Sequence, residues 1–280
     1  MILIADSGST KTDWVLTNHL TAVKSFKTPG FNPYFVTTEE VRSILDDVFN
    51  EQIRRDDVDA VYFYGAGCSS QPKQAVINDA LKSLFPGKKT EVEHDMLAAA
   101  RALFSNTPGI ACILGTGSNA CVYDGKEITE SLFSLGYMFG DEGSGAHLGK
   151  TYIADHLKEK APAEIMAAFL ERYELSREEI LTEIYKKPNP NRFLASFTHF
   201  LKERISHPYV YDLVKSSFDS FFREQVCQFT NFRQFTLGCI GSVAYHFQDV
   251  FMNVAAEHKV TVNQFMISPM EGLIKFHAAQ

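Results

Sequence analysis

The sequence predicts an α/β protein in which one supersecondary pattern occurs twice: two lobes, each reading βββαβαβα, with a cleft between them. Three observations carry this expectation. Each half opens on short strands joined by a tight turn of small residues, Ser7-Gly8-Ser9-Thr10-Lys11 in the first and Gly115-Thr116-Gly117-Ser118 in the second. After each meander, β-branched and aromatic runs alternate with segments of helical periodicity. The turn-forming stretch Asn106-Thr107-Pro108-Gly109 separates the halves, giving lobes over 1–107 and 108–280, the second enlarged by a helical insertion over about 144–230. The repeat is one of pattern and not of residue identity. A single large domain with a parallel sheet shares the alternation, and the duplicated turns decide against it.

Residues 2–6, 12–17 and 20–27 read as three strands of an antiparallel meander. Thr37 and Glu40 stand at capping-box spacing ahead of Val41, Ile44, Leu45, Val48 and Phe49, which predicts a helix over 38–52. A strand over 58–64 ends in Gly65-Ala66-Gly67; residues 72–85 are helical, 90–93 a short strand, and the Ala-rich stretch 96–104 a helix. In the second half, 110–114, 120–123 and 128–132 repeat the meander. The helical tract that follows breaks near Pro188-Asn189-Pro190-Asn191 and at His207-Pro208. A strand at 235–240, a helix at 242–258, a strand at 262–267 and a closing helix at 269–278 complete the second lobe.

The 280 residues are 45% hydrophobic and include 23 Phe, enough apolar mass for two ordinary domains. A formal net charge of −7 supplies no basic field for phosphodiester backbones, which turns the expectation from nucleic acid to a small-molecule partner. No apolar run approaches the roughly 18 residues that span a bilayer, and Met1 leads into Ile2-Leu3-Ile4 without a basic leader, so no membrane association and a cytoplasmic location are expected. Five cysteines, odd in number and without Cys-x-x-Cys spacing, read as reduced thiols. Cys112 and Cys121 flank a turn as candidate cross-strand neighbours, with no reason to oxidise in that compartment. Nine histidines show no zinc spacing.

The chemistry concentrates in a few places. Gly136 to Gly149 holds five glycines in fourteen positions around Asp141 and Glu142, which is most simply explained by a ligand lying against the main chain with the acids facing it. Asp6 ends the first strand at a turn whose exposed amides can hold phosphate oxygens while the carboxylate holds magnesium through water; an ordinary hairpin has the same residues. Gly115-Thr116-Gly117-Ser118 offers amides and hydroxyls at the equivalent place, and the pair of turns weighs more than either alone. Neither is a Walker loop. Asp95 follows a strand and opens a helix, where a carboxylate can accept a proton from an attacking hydroxyl or cap the helix. His94 reads as structural. Gly241-Ser242 repeats a strand-glycine-helix arrangement that receives nucleotides or merely packs closely.

These residues resemble the actin, heat-shock ATPase and sugar-kinase superfamily across nearly the whole chain. Asp6-Ser7-Gly8-Ser9-Thr10 is similar to its first phosphate loop, Gly115-Thr116-Gly117-Ser118 to its second, and Ile240-Gly241-Ser242-Val243 to its adenosine-side element. More narrowly, Gly115-Thr116-Gly117-Ser118-Asn119 and Gly140-Asp141-Glu142-Gly143-Ser144 resemble the N-acetylglucosamine kinase branch, which also holds the activating ATPases of benzoyl-coenzyme A reductase type. The resemblance implies a duplicated ribonuclease-H-like fold, ATP with Mg2+, and γ-phosphoryl transfer to a hydroxyl of an amino sugar, N-acetylglucosamine or N-acetylmuramic acid. It implies Asp95 as base, Asp6 on Mg2+ through water, and Gly8, Ser9, Thr10, Lys11, Gly115, Thr116, Gly117, Ser118, Gly241 and Ser242 around the nucleotide. Asn32, Gly65, Gly117, Gly136, Tyr137 and Asp141, with Asp95, fall at sugar-contacting positions. Two departures stand out: the first loop carries Ser7 and Ser9 where glycines are usual, and Tyr137 replaces the usual Gly or His. The alternative reading is an ATPase that activates a partner redox enzyme, which the placement of the cysteines in predicted strands argues against. Whether copies pair as a homodimer is left open.

Overall fold

A computed structural model describes residues 1–8 and 11–280, which divide into two compact units, Met1–Thr107 with Ser268–Gln280 and Pro108–Ile267. The first unit runs β1 (Ile2–Ser7), β2 (Lys11–Asn18), β3 (Thr21–Pro29), α1 (Thr38–Gln52), β4 (Ala60–Gly65), α2 (Gln71–Leu84), β5 (Lys89–His94) and α3 (Asp95–Phe104). Its sheet has the order β3-β2-β1-β4-β5, with β1 antiparallel to β2 and parallel to β4, and β4 parallel to β5. The predicted capping box is present: Thr37 accepts from the Glu40 amide and the Glu40 side chain from the Thr37 amide. Trp14, Phe49, Phe63 and Phe85 pack on one face, Trp14 edge-on to Phe49 at 5.1 Å, with the indole N–H satisfied by Thr28 Oγ1 at 2.9 Å.

The second unit runs β6 (Gly109–Leu114), β7 (Ser118–Tyr123), β8 (Ile128–Ser131), α4 (Gly136–Phe139), α5 (Gly145–Leu157), α6 (Ala163–Tyr173), α7 (Arg177–Tyr185), α8 (Pro190–Ser196), α9 (Thr198–Glu203), α10 (Pro208–Glu224), β9 (Thr236–Ile240), α11 (Ser242–His246), α12 (Gln248–Glu257) and β10 (Thr261–Met266). Its sheet order, β10-β9-β6-β7-β8, is the first sheet over again, with β6 in the place of β1, antiparallel to β7 and parallel to β9. The duplication is therefore one of strand order and direction. Phenylalanines 169, 197, 200, 218, 221 and 222 are all buried, so the aromatic residues of the insertion form core. No helix among the described residues is long and apolar enough to cross a membrane.

Four features differ from the sequence reading. A short helix, α4, occupies Gly136–Phe139, a stretch to which the sequence reading gave no element. The helix predicted over 242–258 is interrupted at Phe247, whose backbone lies outside the helical region between α11 and α12. Cys112 does not face Cys121: its register partners are Ala120 on β7 and Cys239 on β9, while Cys121 pairs with Ala111. Finally, the closing helix α13 (Met270–Ala278), assigned from order alone to the second lobe, packs on α3 and β1 of the first unit. Gly272 makes that contact possible, since a Cβ there would lie 2.4 Å from the Ala102 carbonyl oxygen.

Candidate active site

In the first unit, β1, β4 and β5 end in register. Ser7 is opposite Gly65 and Gly65 opposite His94, so one row across the sheet brings Asp6, Gly65 and Asp95 to the carboxyl edge of three parallel strands, the edge at which α/β sheets receive ligands. Across the antiparallel side, Asp6 faces Asp13. Burial first, then the charges of Asp95 and Asp13, push the Asp6 carboxyl up to about 7, with Lys11 pulling it back. Asp13 was not among the sequence candidates; its part became visible only through the strand register. Lys11, expected at the nucleotide, is largely exposed, with its Nζ 2.7 Å from Asp13 Oδ2. The Gly8 amide closes the turn onto the Lys11 carbonyl at 3.0 Å. Ser9 and Thr10 lie outside the described residues.

Asp95 is the first residue of α3, and the capping role open to it is filled by His94, whose Nδ1 accepts from the Met96 amide at 3.2 Å when the ring nitrogen is unprotonated and donates to Asp95 when it carries a proton. The Asp95 carboxylate thus remains available, 30% exposed, with its Oδ1 2.9 Å from His94 Nδ1. Burial draws the His94 pKa down, but the hydrogen bond and charge of Asp95, joined by Glu93, outweigh it and raise it. Asn32 is held beside this edge by a chain of contacts from β1. Ser7 Oγ lies 2.7 Å from Thr12 Oγ1 and accepts from the Phe31 amide at 3.1 Å, and Asn32 Oδ1 accepts from the Tyr34 amide at 3.0 Å. Gly67, at φ +84°, leaves room for this amide, because a Cβ would stand 2.5 Å from Asn32 Oδ1. Gly65 has a packing reason of its own, the Phe63 ring at 2.6 Å from its would-be Cβ.

In the second unit, the Gly115–Ser118 turn links β6 to β7 and is clasped by the start of α5. The Gly145 amide donates to the Gly115 carbonyl at 2.8 Å and the Ala146 amide to the Thr116 carbonyl at 3.0 Å. Ser118 Oγ donates to the Glu142 carbonyl at 2.7 Å, tying the turn to the acidic loop. Asp141 is 8% exposed and left-handed at φ +59°, a conformation that a non-glycine residue holds only when its surroundings impose it. Burial raises its pKa, opposed by a hydrogen bond from the Ser118 amide and by Lys150. Gly117 permits this placement, as a Cβ there would approach Asp141 Oδ2 to 3.0 Å. Gly136, at φ +68°, begins α4; the Tyr137 ring packs against the unit's core and its carbonyl accepts from Lys150 Nζ at 2.7 Å.

Three glycines of the cluster have a packing cause, whereas Gly136 has nothing within 4 Å of its would-be Cβ. A Cβ on Gly143 would meet Phe221 Cβ at 2.9 Å, on Gly145 would meet Ala195 Cβ at 3.0 Å, and on Gly149 would sit 1.9 Å from the Leu194 carbonyl oxygen. These three admit neighbouring helices and not a ligand. Gly115 is the opposite case, since nothing lies within 4 Å of its would-be Cβ. It opens onto a cavity of about 220 Å³ lined by Gly115, Thr116, Arg192, Ser196, His199 and Ser242, among others. Gly241, at φ +121°, brings Ser242 to this wall, for any Cβ would come 2.3 Å from the Leu114 carbonyl oxygen. Arg192, Ser196 and His199 come from α8, α9 and their junction, in the insertion whose sequence read only as packing. Their polar side chains carried no signal of the cavity, which exists only once α8 lies against α5.

No protein-family model matches the chain. A protein of Clostridium acetobutylicum named as an N-acetylmuramic acid/N-acetylglucosamine kinase is 27% identical over 206 residues, covering 69% of this chain and 67% of that one. A solved structure from Chromobacterium violaceum, proposed to be an N-acetylglucosamine kinase, has a TM-score of 0.70 over 100% of this chain and 98% of that chain, and at 16% identity shows the shared fold. A solved structure from Porphyromonas gingivalis, also proposed to be an N-acetylglucosamine kinase, superposes with a TM-score of 0.95 and is 44% identical, covering 100% of this chain and 99% of that one. With the duplicated sheets and the acids at their strand ends, that likeness over both full lengths shows that the chain belongs to the N-acetylglucosamine-kinase-like branch of the actin-like ATPase and sugar-kinase superfamily.

Proposed function

We propose that the protein is an ATP-dependent kinase that transfers the γ-phosphoryl group to a hydroxyl of an amino sugar, N-acetylglucosamine or N-acetylmuramic acid. The observation that carries this reading is the pair Asp6 and Asp95 at the carboxyl edge of β1, β4 and β5, near enough for the charge of one to raise the pKa of the other. Asp95, freed from helix capping and steadied by His94, takes the proton of the acceptor hydroxyl as it attacks phosphorus. Asn32 and Asp141 hydrogen-bond sugar groups, with Gly65, Gly117, Gly136 and Tyr137 shaping the contact. Gly8, Ser9, Thr10 and Lys11 in one turn and Gly115, Thr116, Gly117 and Ser118 in the other hold the phosphates, and Gly241 and Ser242 stand at the adenosine side. The names of the 44% and 27% identical relatives support this acceptor class.

Asp6 fits a magnesium ion held through water: it is a half-buried carboxylate beside the like charges of Asp95 and Asp13, where a cation would be stabilised. No cluster of three or more His, Cys, Asp or Glu side chains able to hold a metal by themselves occurs among the described residues, which suits an ion that arrives with the nucleotide and keeps much of its water. When bound, it neutralises phosphate charge.

The test is an ATP-consumption screen over a panel of amino sugars, with the phosphate on the product located by NMR. Turnover with an N-acetylated amino sugar is expected. Asp95→Asn should lower it by about 10²- to 10⁴-fold while ATP still binds. Silence across the panel would remove the acceptor class, and undiminished turnover in the variant would remove Asp95 as base.

A further inference from the structure

Away from these residues, three side chains that no part of the kinase reading uses converge at the end of α10. Cys227, in a single helical turn at Val226–Gln228, places its Sγ 3.5 Å from His258 Nδ1, and His258 Nε2 lies 2.7 Å from Asp219 Oδ1. An ionised carboxylate only accepts hydrogen bonds, so the neutral imidazole carries its proton on Nε2 and turns the Nδ1 lone pair to the thiol. The assembly is braced on every side. Asp219 Oδ2 is 3.1 Å from Arg223 Nε, the Phe222 ring stacks on the imidazole at 5.2 Å and 7°, and Arg233 Nε donates to the His258 carbonyl at 3.4 Å. Cys68, Cys112, Cys121 and Cys239 are buried, whereas Cys227 is partly exposed.

We propose that Cys227, His258 and Asp219 form a second reactive site, a nucleophilic thiol served by a positioned imidazole base, which takes low-molecular-weight disulfides by thiol–disulfide exchange. Burial raises the Cys227 pKa, with Arg233 opposing and Asp219 adding to it, so the resting group is the thiol and a base in contact is what makes it reactive. In the step, the Sγ–H bond breaks and its proton passes to His258 Nδ1. Sγ bonds to one sulfur of the incoming disulfide, whose S–S bond breaks, and the departing thiolate takes the proton from His258 to leave as a thiol. The Cys227 sulfur rises from the thiol to the disulfide level as the departing sulfur falls from the disulfide to the thiol level, so the exchange balances without an outside oxidant. Asp219 holds the ring in the tautomer the step requires and balances the transient imidazolium.

The probe is 5,5′-dithiobis(2-nitrobenzoic acid), added to the native full chain near neutral pH, with the coloured thiolate followed in time and the modified residue located by mass spectrometry. Cys227 is expected to react first, about tenfold faster than a free cysteine peptide in the same buffer. Cys227→Ser removes the fast phase, and His258→Ala and Asp219→Asn each slow it by about tenfold. A native Cys227 that reacts no faster than the free peptide overturns the proposal whether or not the variants fold. A fast phase that survives His258→Ala in a folded chain overturns it as well.

Discussion

Asp6 sits where the resting protein gains least from it. A half-buried carboxylate flanked by Asp95 and Asp13, its pKa raised to about 7, is held there by the fold against its own solvation, as is common where a cation or charged ligand is to be received. Asp6→Asn keeps the shape and removes the charge. It should abolish sugar-dependent turnover yet stabilise the unliganded protein by about 1 kcal/mol or more near neutral pH, the scale at which an unpaired buried charge costs a folded chain. Calorimetric melting beside the activity assay reads both, and a melting temperature that falls would contradict the account. Asp6, Asp95 and Asp141 stood out as candidates in the sequence because each lies beside a turn or strand end whose chemistry is local, whereas Asn32 entered only through the family resemblance. Asp13 and the cap on His94 did not stand out, since the first acts through a register partner and the second through one choice of backbone geometry.

At the scale of elements, the glycines divide into those that admit a neighbour and those, Gly115 among them, that face open space, and composition alone cannot tell them apart. Gly149 lets α5 lie on α8, with the Leu194 carbonyl in the volume a methyl would take. Backbone cannot swing aside as a side-chain tip can, so Gly149→Ala should cost about 3 kcal/mol in denaturant unfolding. Gly115→Ala is the contrast. Its Cβ meets nothing within 4 Å, so stability should shift by less than about 0.5 kcal/mol while nucleotide affinity, measured by titration calorimetry, weakens. Equal losses of stability in both variants would refute this division. The same distinction explains which elements could be read in advance. Helix α1 was foreseen to the residue because its cap and periodicity are local, whereas the break at Phe247 and the helix at Gly136–Phe139 depend on what packs around them.

For the molecule as a whole, the consequential feature is the return of α13 to the first unit, which counting elements along the chain could not reveal. Its closing contact is His277, stacked on Tyr62 at 3.8 Å and hydrogen-bonded through Nε2 to the Tyr64 hydroxyl at 2.8 Å, while that hydroxyl accepts from Arg101 at 2.7 Å. A fragment ending at Thr107 lacks this helix and leaves the faces of α3 and β1 uncovered, so it should show little cooperative unfolding by circular dichroism; a sharp transition in that fragment would show α13 dispensable. The pH dependence follows from the same contact. Burial, then Arg101, lowers the His277 pKa from 6.5 to about 4, and burial with Lys150 does the same to His147. As pH falls below 6.5 the unfolded chain takes up these protons before the folded one, so the two histidines withdraw stability until about pH 4, where the folded histidines protonate too. Asp6, with its pKa raised to about 7, contributes in the opposite direction. Each histidine can account for at most about 3 kcal/mol over that window. His277→Gln keeps a hydrogen-bonding partner for Tyr64 and removes the titration. Urea unfolding across the window should then show the variant losing less stability than the native chain, by up to the His277 contribution, with His147 and the opposing Asp6 common to both. An unchanged slope would mean that acid does not act through the closing helix.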